Sequence, residues 1–117
     1  MDISSDAFNQ IVTLQVELFK VLANSTRLGI IYTLKGGEAK YLAEIREVLD
    51  ISKANLSQHL AILKNAGIID IIPQGRHSLA VLKAKSLVDA CSLVRELIKE
   101  RLENSMKPFL EDQDNDA

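Results

Sequence analysis

The side chains with most to offer another molecule lie in one stretch, SKANLSQHLAILKNAGII, from Ser52 to Ile69. Asn55 and Gln58 carry amides with a donor beside an acceptor, the pattern that pairs with an adenine edge. Ser57 brings a hydroxyl that suits a base or a phosphate, and Lys53 a charge that suits phosphate. No acidic residue occurs from Lys53 to Ile69. A solvated helix face normally mixes Lys with Glu, so the omission favours an anionic partner. Further along, Arg76 and His77 follow the expected turn Pro73-Gln74-Gly75, where a cation would reach phosphates or a minor groove flanking the bases read.

Bond-making chemistry is poorly supplied. No nucleophile and base stand at a useful spacing, and no glycine-rich loop could cradle a phosphate, so the chain is not expected to be an enzyme. Cys91 is the only cysteine, which excludes an intramolecular disulfide and any multi-thiolate metal site within one chain. It reads either as a small apolar residue in a helical stripe or, brought near a symmetry mate, as a redox or effector site. His59 has two readings as well, a half-buried structural imidazole or a phosphate contact. His77 reads as solvated or phosphate-directed.

The elements that must position these groups follow from periodicity. In residues 5–22, Ile11, Leu14, Leu18 and Leu22 repeat at helical spacing with Val12, Val16 and Phe19 beside them, a helix that seeks cover on two sides. Asn24 is placed to cap a second helix carrying Leu28, Ile31 and Leu34, which ends at Gly36 and Gly37. YLAEIREVLD gives a short third helix with Leu42, Ile45 and Leu49 inward, and Ser52 is a good N-cap for the next. At about 100° per residue, Leu56, Leu60 and Leu63 gather on one side of that fourth helix, opposite Ala54, Gln58, Ala61 and Asn65. IIDIIPQGRHSLAVL then predicts a β-hairpin. From residue 84 to about 106 a last helix repeats Leu87, Cys91, Val94, Ile98 and Leu102, and Pro108 is expected near its end, where a proline costs little. A short helix, a turn and a second helix with small polar outer residues make a helix-turn-helix, and the hairpin makes it winged.

The 117 residues suit a single domain over 1–110, with residues 111–117 an acidic, disordered tail. That tail holds Glu111, Asp112, Asp114 and Asp116; with four negative charges set aside, the formal charge of −2 becomes +2. Between Asp50 and Lys85 the chain is locally basic. No apolar run reaches membrane-spanning length and the first residues lack the build of a secretion signal, so a cytoplasmic protein is expected.

Two stretches resemble a known family. FKVLANSTRLGIIYTL is similar to the family's LFKALADPTRLRILxLL, and SKANLSQHLAILKNAGII to its SxxxVSxHLxxLxxAGLV. Together with the hairpin and flanking helices, the chain resembles the ArsR/SmtB repressors over residues 8 to 105. The resemblance implies a mainly α winged helix-turn-helix protein, dimerising through its N- and C-terminal helices. It implies a homodimeric repressor that binds a palindromic operator on double-stranded DNA and is released by an effector. By position, Ser52 caps the reading helix, Lys53, Asn55, Ser57, Gln58 and His59 match DNA-facing positions, and Arg76 matches the wing arginine. The metal boxes depart from the pattern. Tyr41, Leu42 and Ala43 stand where metal sensors carry Cys-Val-Cys, while Asp89, Cys91, Leu102 and Ser105 stand where others carry a four-ligand zinc set. Zinc needs about four good donors, so no metal and no cofactor is expected, and a thiol agent or small molecule is the expected effector. The alternative is a winged helix that docks protein without reading DNA.

Overall fold

The computed structural model describes the backbone of residues 5–115 and the side chains up to residue 108. The chain divides into two compact units, Met1–Lys85 and Ser86–Ala117. In the first, α1 (Asp6–Leu22) starts at Ser5, whose Oγ accepts the Phe8 N–H at 3.1 Å. No residue of α1 is buried; Ile11, Leu14, Val16 and Phe19 all stand exposed. α2 (Ser25–Thr33) begins at the expected cap, with Asn24 Oδ1 accepting the Arg27 N–H at 3.0 Å. It gives Ile30 and Ile31 to the core, and the turn after it closes on Gly37 at φ 85.

A two-residue strand, β1 (Lys40–Tyr41), precedes α3 (Leu42–Leu49). The sequence reading expected only a hairpin. β1 adds a third strand, and two residues are too few to carry an alternating pattern. α3 ends with Asp50 in the left-handed region at φ 52, a conformation that Asp tolerates better than most residues. α4 (Lys53–Asn65) follows after Ser52, whose Oγ accepts the Asn55 N–H at 3.1 Å. Gly67, at φ 76, turns the chain out of α4.

The wing is β2 (Ile69–Gln74) and β3 (His77–Leu82), paired antiparallel from Ile69 opposite Leu82 to Gln74 opposite His77. β3 is central, in the order β1-β3-β2. The connection corrects the expected Pro73-Gln74-Gly75 turn: Pro73 and Gln74 belong to β2, and the two linking residues are Gly75 and Arg76. Gly75 at φ 63 supplies the positive φ that a tight two-residue hairpin needs, and Pro73 is tolerated because β2 is an edge strand. The core of the unit joins α2 (Ile30, Ile31, Leu34), Ile45 of α3, Leu56, Leu60 and Leu63 of α4, and Ile68, Ile69, Ala80 and Leu82. Each fully buried Leu or Ile contributes roughly 1.5–3 kcal/mol.

The second unit is the body of α5 (Lys85–Asn115). Leu87 and Cys91 are buried, whereas Leu93, Val94, Leu97, Ile98, Leu102 and Met106 are exposed. Pro108 lies inside this helix rather than at its end. Its ring removes one intrahelical hydrogen bond, and helix on both sides of the loss carries α5 through it. Residues 111–115 of the acidic stretch continue the α5 backbone, and residues 116 and 117 lie outside the described residues.

Candidate nucleic-acid interface

α4 turns its apolar residues inward and its small polar ones outward. Leu56, Leu60 and Leu63 are 1%, 4% and 0% exposed, while Lys53, Ala54, Ser57, Gln58 and Ala61 all lie on the exposed side. Two alanines on that side keep its profile low, so a partner can approach the helix closely. Gln58 stands free on it. Asn55 is half-buried, and its own N–H is taken by the Ser52 hydroxyl. Ser52 thus caps the helix through one lone pair, and its exposed hydroxyl keeps an O–H to donate.

The first turn of α4, the start of α3 and the wing enclose a notch of about 740 Å³. Lys53 and Ser57 enter it from α4, Arg76, His77 and Ser78 from the wing, and Tyr41, Glu44 and Arg46 from β1 and α3. Four of the predicted site residues thus come together here: Lys53, Ser57, Arg76 and His77. The wing is held in place by β1, where Tyr41 lies opposite Leu79. Residue 77 falls on the same face as Leu79, two along the strand, and the Tyr41 ring meets the His77 ring edge-on at 6.1 Å and 81°. The one acid in the notch, Glu44, accepts the Tyr41 N–H through Oε1 at 3.1 Å. Where the family resemblance would place thiolates, at Tyr41, Leu42 and Ala43, the surroundings are cationic instead. Among the described residues no group of three or more His, Cys, Asp or Glu could hold a metal ion.

His59 is turned elsewhere. It is half-buried, and its Nδ1 lies 3.2 Å from Nη1 of Arg27. A guanidinium only donates, so Nδ1 is the acceptor in this contact. The same Arg27 donates through Nε to the Val21 carbonyl at the end of α1. One side chain thereby ties α1, α2 and α4 together. Cys91 lies in the other unit, buried in α5.

Sequence reasoning missed Arg27, Arg46 and Tyr41. Arg46 sits between Glu44 and Glu47 in α3, where it reads as one charge of a solvated face. The signal that would have found it is the three-dimensional closeness of α3 to the wing, which depends on the unforeseen strand β1.

A family model described as bacterial regulatory protein, arsR family, matches residues 24–70, from the cap of α2 to the start of the wing. The SdpR transcriptional repressor of Bacillus subtilis is 33% identical over 81 residues, covering 69% of this chain and 89% of that protein. The chain belongs to the ArsR family. The arsenical resistance operon repressor of Escherichia coli is 36% identical over 63 residues, and this chain spans 54% of its length. In fold, the ArsR chain resembles a homodimeric winged helix-turn-helix DNA-binding domain from Mycobacterium bovis, solved in solution. The TM-score is 0.74 at 23% identity, over 89% of this chain and 95% of that one. Among the described residues no helix is long and apolar enough to cross a membrane.

Proposed function

We propose that the protein is a sequence-specific DNA-binding repressor of transcription, acting in the cytoplasm as a homodimer on a palindromic operator. The observation that carries this reading is the outer face of α4. Lys53, Ala54, Ser57, Gln58 and Ala61 form an exposed, acid-free surface on a helix anchored by three buried leucines. Gln58 reads base edges, with Asn55 beside it, while Lys53, Ser57, Arg76 and His77 contact the backbone. Ser52 and His59 hold the helix in position. Exposed apolar side chains on α1 and on α5, considered separately, supply surface for a second copy. Paired reading helices about 34 Å apart, one turn of duplex, would make the operator palindromic.

Release is assigned to a thiol agent or small molecule rather than to a metal, since the chain lacks the family's ligand sets at residues 41–43 and 89–105. Cys91 is the residue to test. A Cys91→Ser protein that holds its operator equally under oxidising and reducing conditions would remove the thiol from the switch. The whole reading is tested by binding to duplex from the upstream region across a salt series. Affinity should fall steeply as salt rises and exceed that for random duplex throughout. Gln58→Ala should reduce discrimination by about 1–3 kcal/mol. Equal binding of both duplexes at every salt concentration would refute it, and would leave protein docking as the use of the wing.

A further inference from the structure

The notch holds more positive charge than reading bases requires. Arg46, Lys53 and Arg76 reach it from three different elements, with His77 beside them. Among the described residues no carboxylate pairs with Arg46, Lys53 or Arg76; Glu44, the one acid lining the notch, accepts the Tyr41 N–H through Oε1. Arg46 carries the sharper signal. Its Nε is shut off from solvent and has no hydrogen-bond acceptor. Buried polar groups are nearly always paired, and the exceptions call for an explanation such as an absent ion. Arg46 is half-buried and lines the notch, so its guanidinium is placed to meet an anion there. Ser57 and Ser78 add neutral donors to the same space.

We propose that the notch is a phosphate seat in which Arg46, Lys53 and Arg76 each neutralise a backbone phosphate in one short run of bound duplex, with the Ser57 and Ser78 hydroxyls as further donors. Arg46, on α3, is the residue that neither the reading helix nor the wing accounts for. A guanidinium presents a planar fork of donors that matches two phosphate oxygens, and Lys supplies a point charge beside it. The seat fixes the register of α4 on the duplex and carries no base preference. This inference rests on the proposed DNA binding, and it adds the element that would lock the helix-turn-helix to the backbone on the wing side.

The test compares wild type with Arg46→Gln on operator and random duplex between 50 and 200 mM salt. Each neutralised phosphate contributes about 0.9 to the slope of log affinity against log salt. Loss of one contact therefore makes the wild-type advantage about 3.5-fold larger at 50 mM than at 200 mM, with the preference for operator over random duplex unchanged. Lys53→Gln and Arg76→Gln, at exposed positions, should each lower the slope in the same way, and they serve if Arg46→Gln fails to fold by circular dichroism. Operator preference in wild type with slopes unchanged in all folded variants would overturn the seat and leave the DNA reading intact. No preference in wild type would overturn both. Inorganic pyrophosphate, titrated into the free protein and followed by the Ser57 and Ser78 amide resonances, separates the two sources of phosphate. Weak binding lost by 200 mM salt fits a backbone seat, whereas saturable submillimolar binding that survives 200 mM salt would assign the notch to a free phosphoanion and overturn the duplex seat.

Discussion

Breaking the contact between Arg27 and His59 tests how α4 is held. The guanidinium makes two bonds, one from Nη1 to His59 Nδ1 at 3.2 Å and one from Nε to the Val21 carbonyl, and both residues are half-buried. A hydrogen bond from a charged donor contributes about 1.5–3 kcal/mol when well shielded. At 3.2 Å and half-exposed, the Arg27–His59 bond should contribute about 1 kcal/mol, below that range after solvent screening. Arg27→Ala also strips the Val21 carbonyl of its donor, so it should cost about 2–3 kcal/mol, against about 1 for His59→Ala. The double variant should then cost about 1 kcal/mol less than the two single losses added together. Arg27→Lys should recover little, because one ammonium on a flexible stem does not span two acceptors as the planar fork does.

Urea unfolding followed by circular dichroism measures wild type and the four variants, at one fixed protomer concentration because the stability of the proposed dimer depends on it. Additivity within about 0.3 kcal/mol would show that the two residues do not act together. The reasoning about how α4 is held would then fail.

Other consequences follow from single residues. Ser52→Ala should destabilise the protein by about 0.5–2 kcal/mol through loss of the α4 cap, while Ser52→Asp should keep the cap yet weaken DNA binding most at low salt, since it sets a negative charge at the duplex. Thermal unfolding and a salt series read the two effects apart. Leu60→Ala, at 4% exposure, should cost about 2–5 kcal/mol in urea unfolding and reduce DNA binding only as far as folding is lost. Gly75→Ala places a Cβ at φ 63 in the wing turn and should cost about 1–2 kcal/mol, although the Cβ itself meets nothing within 4 Å. A Gly75→Ala protein as stable as wild type would mean that the turn does not depend on positive φ. Gly29→Ala is the opposite case: the new Cβ falls 2.8 Å from Leu49 Cδ2, the far end of a half-buried side chain. Rotation of Leu49 should hold the net change in melting stability within about 1 kcal/mol, since Ala gains about as much in helix propensity.

Helices and caps were legible because each has a local cause. Asn24 and Ser52 cap through hydroxyl or amide oxygens three residues from the N–H they accept, and the leucine triplet of α4 lies on one side at helical spacing. The hairpin was legible from its β-branched residues, but its turn was displaced by one residue. Pro-Gln-Gly reads as a break, whereas an edge strand accepts Pro73 and only the Gly75-Arg76 pair is left to turn. Strand β1 and the end of α5 were not legible. Two residues carry no period, and Pro108 argues locally for a stop that the helix does not make. The exposed face of the candidate site was legible where its residues share one helix, as Lys53, Ser57 and Gln58 do. Arg27 and Arg46 act on partners that only the tertiary fold brings near.

Those two arginines do different work around one helix, and the difference bears on what the outer face of α4 can achieve. Small polar residues read a base edge only if the helix that bears them is held to a fraction of an ångström. Three buried leucines fix how deep α4 sits, but apolar contacts alone leave it some freedom to roll about its axis. Arg27 opposes that roll by gripping His59, midway along α4, from a base set by the Asn24 cap and the Val21 carbonyl. On the other side, β1 binds the wing to the start of α3, so that Arg76 and His77 move with the helix-turn-helix rather than beside it. A change that loosens either tie should therefore blur base preference before it abolishes affinity, whereas loss of Gln58 should remove preference at one position and leave the others sharp.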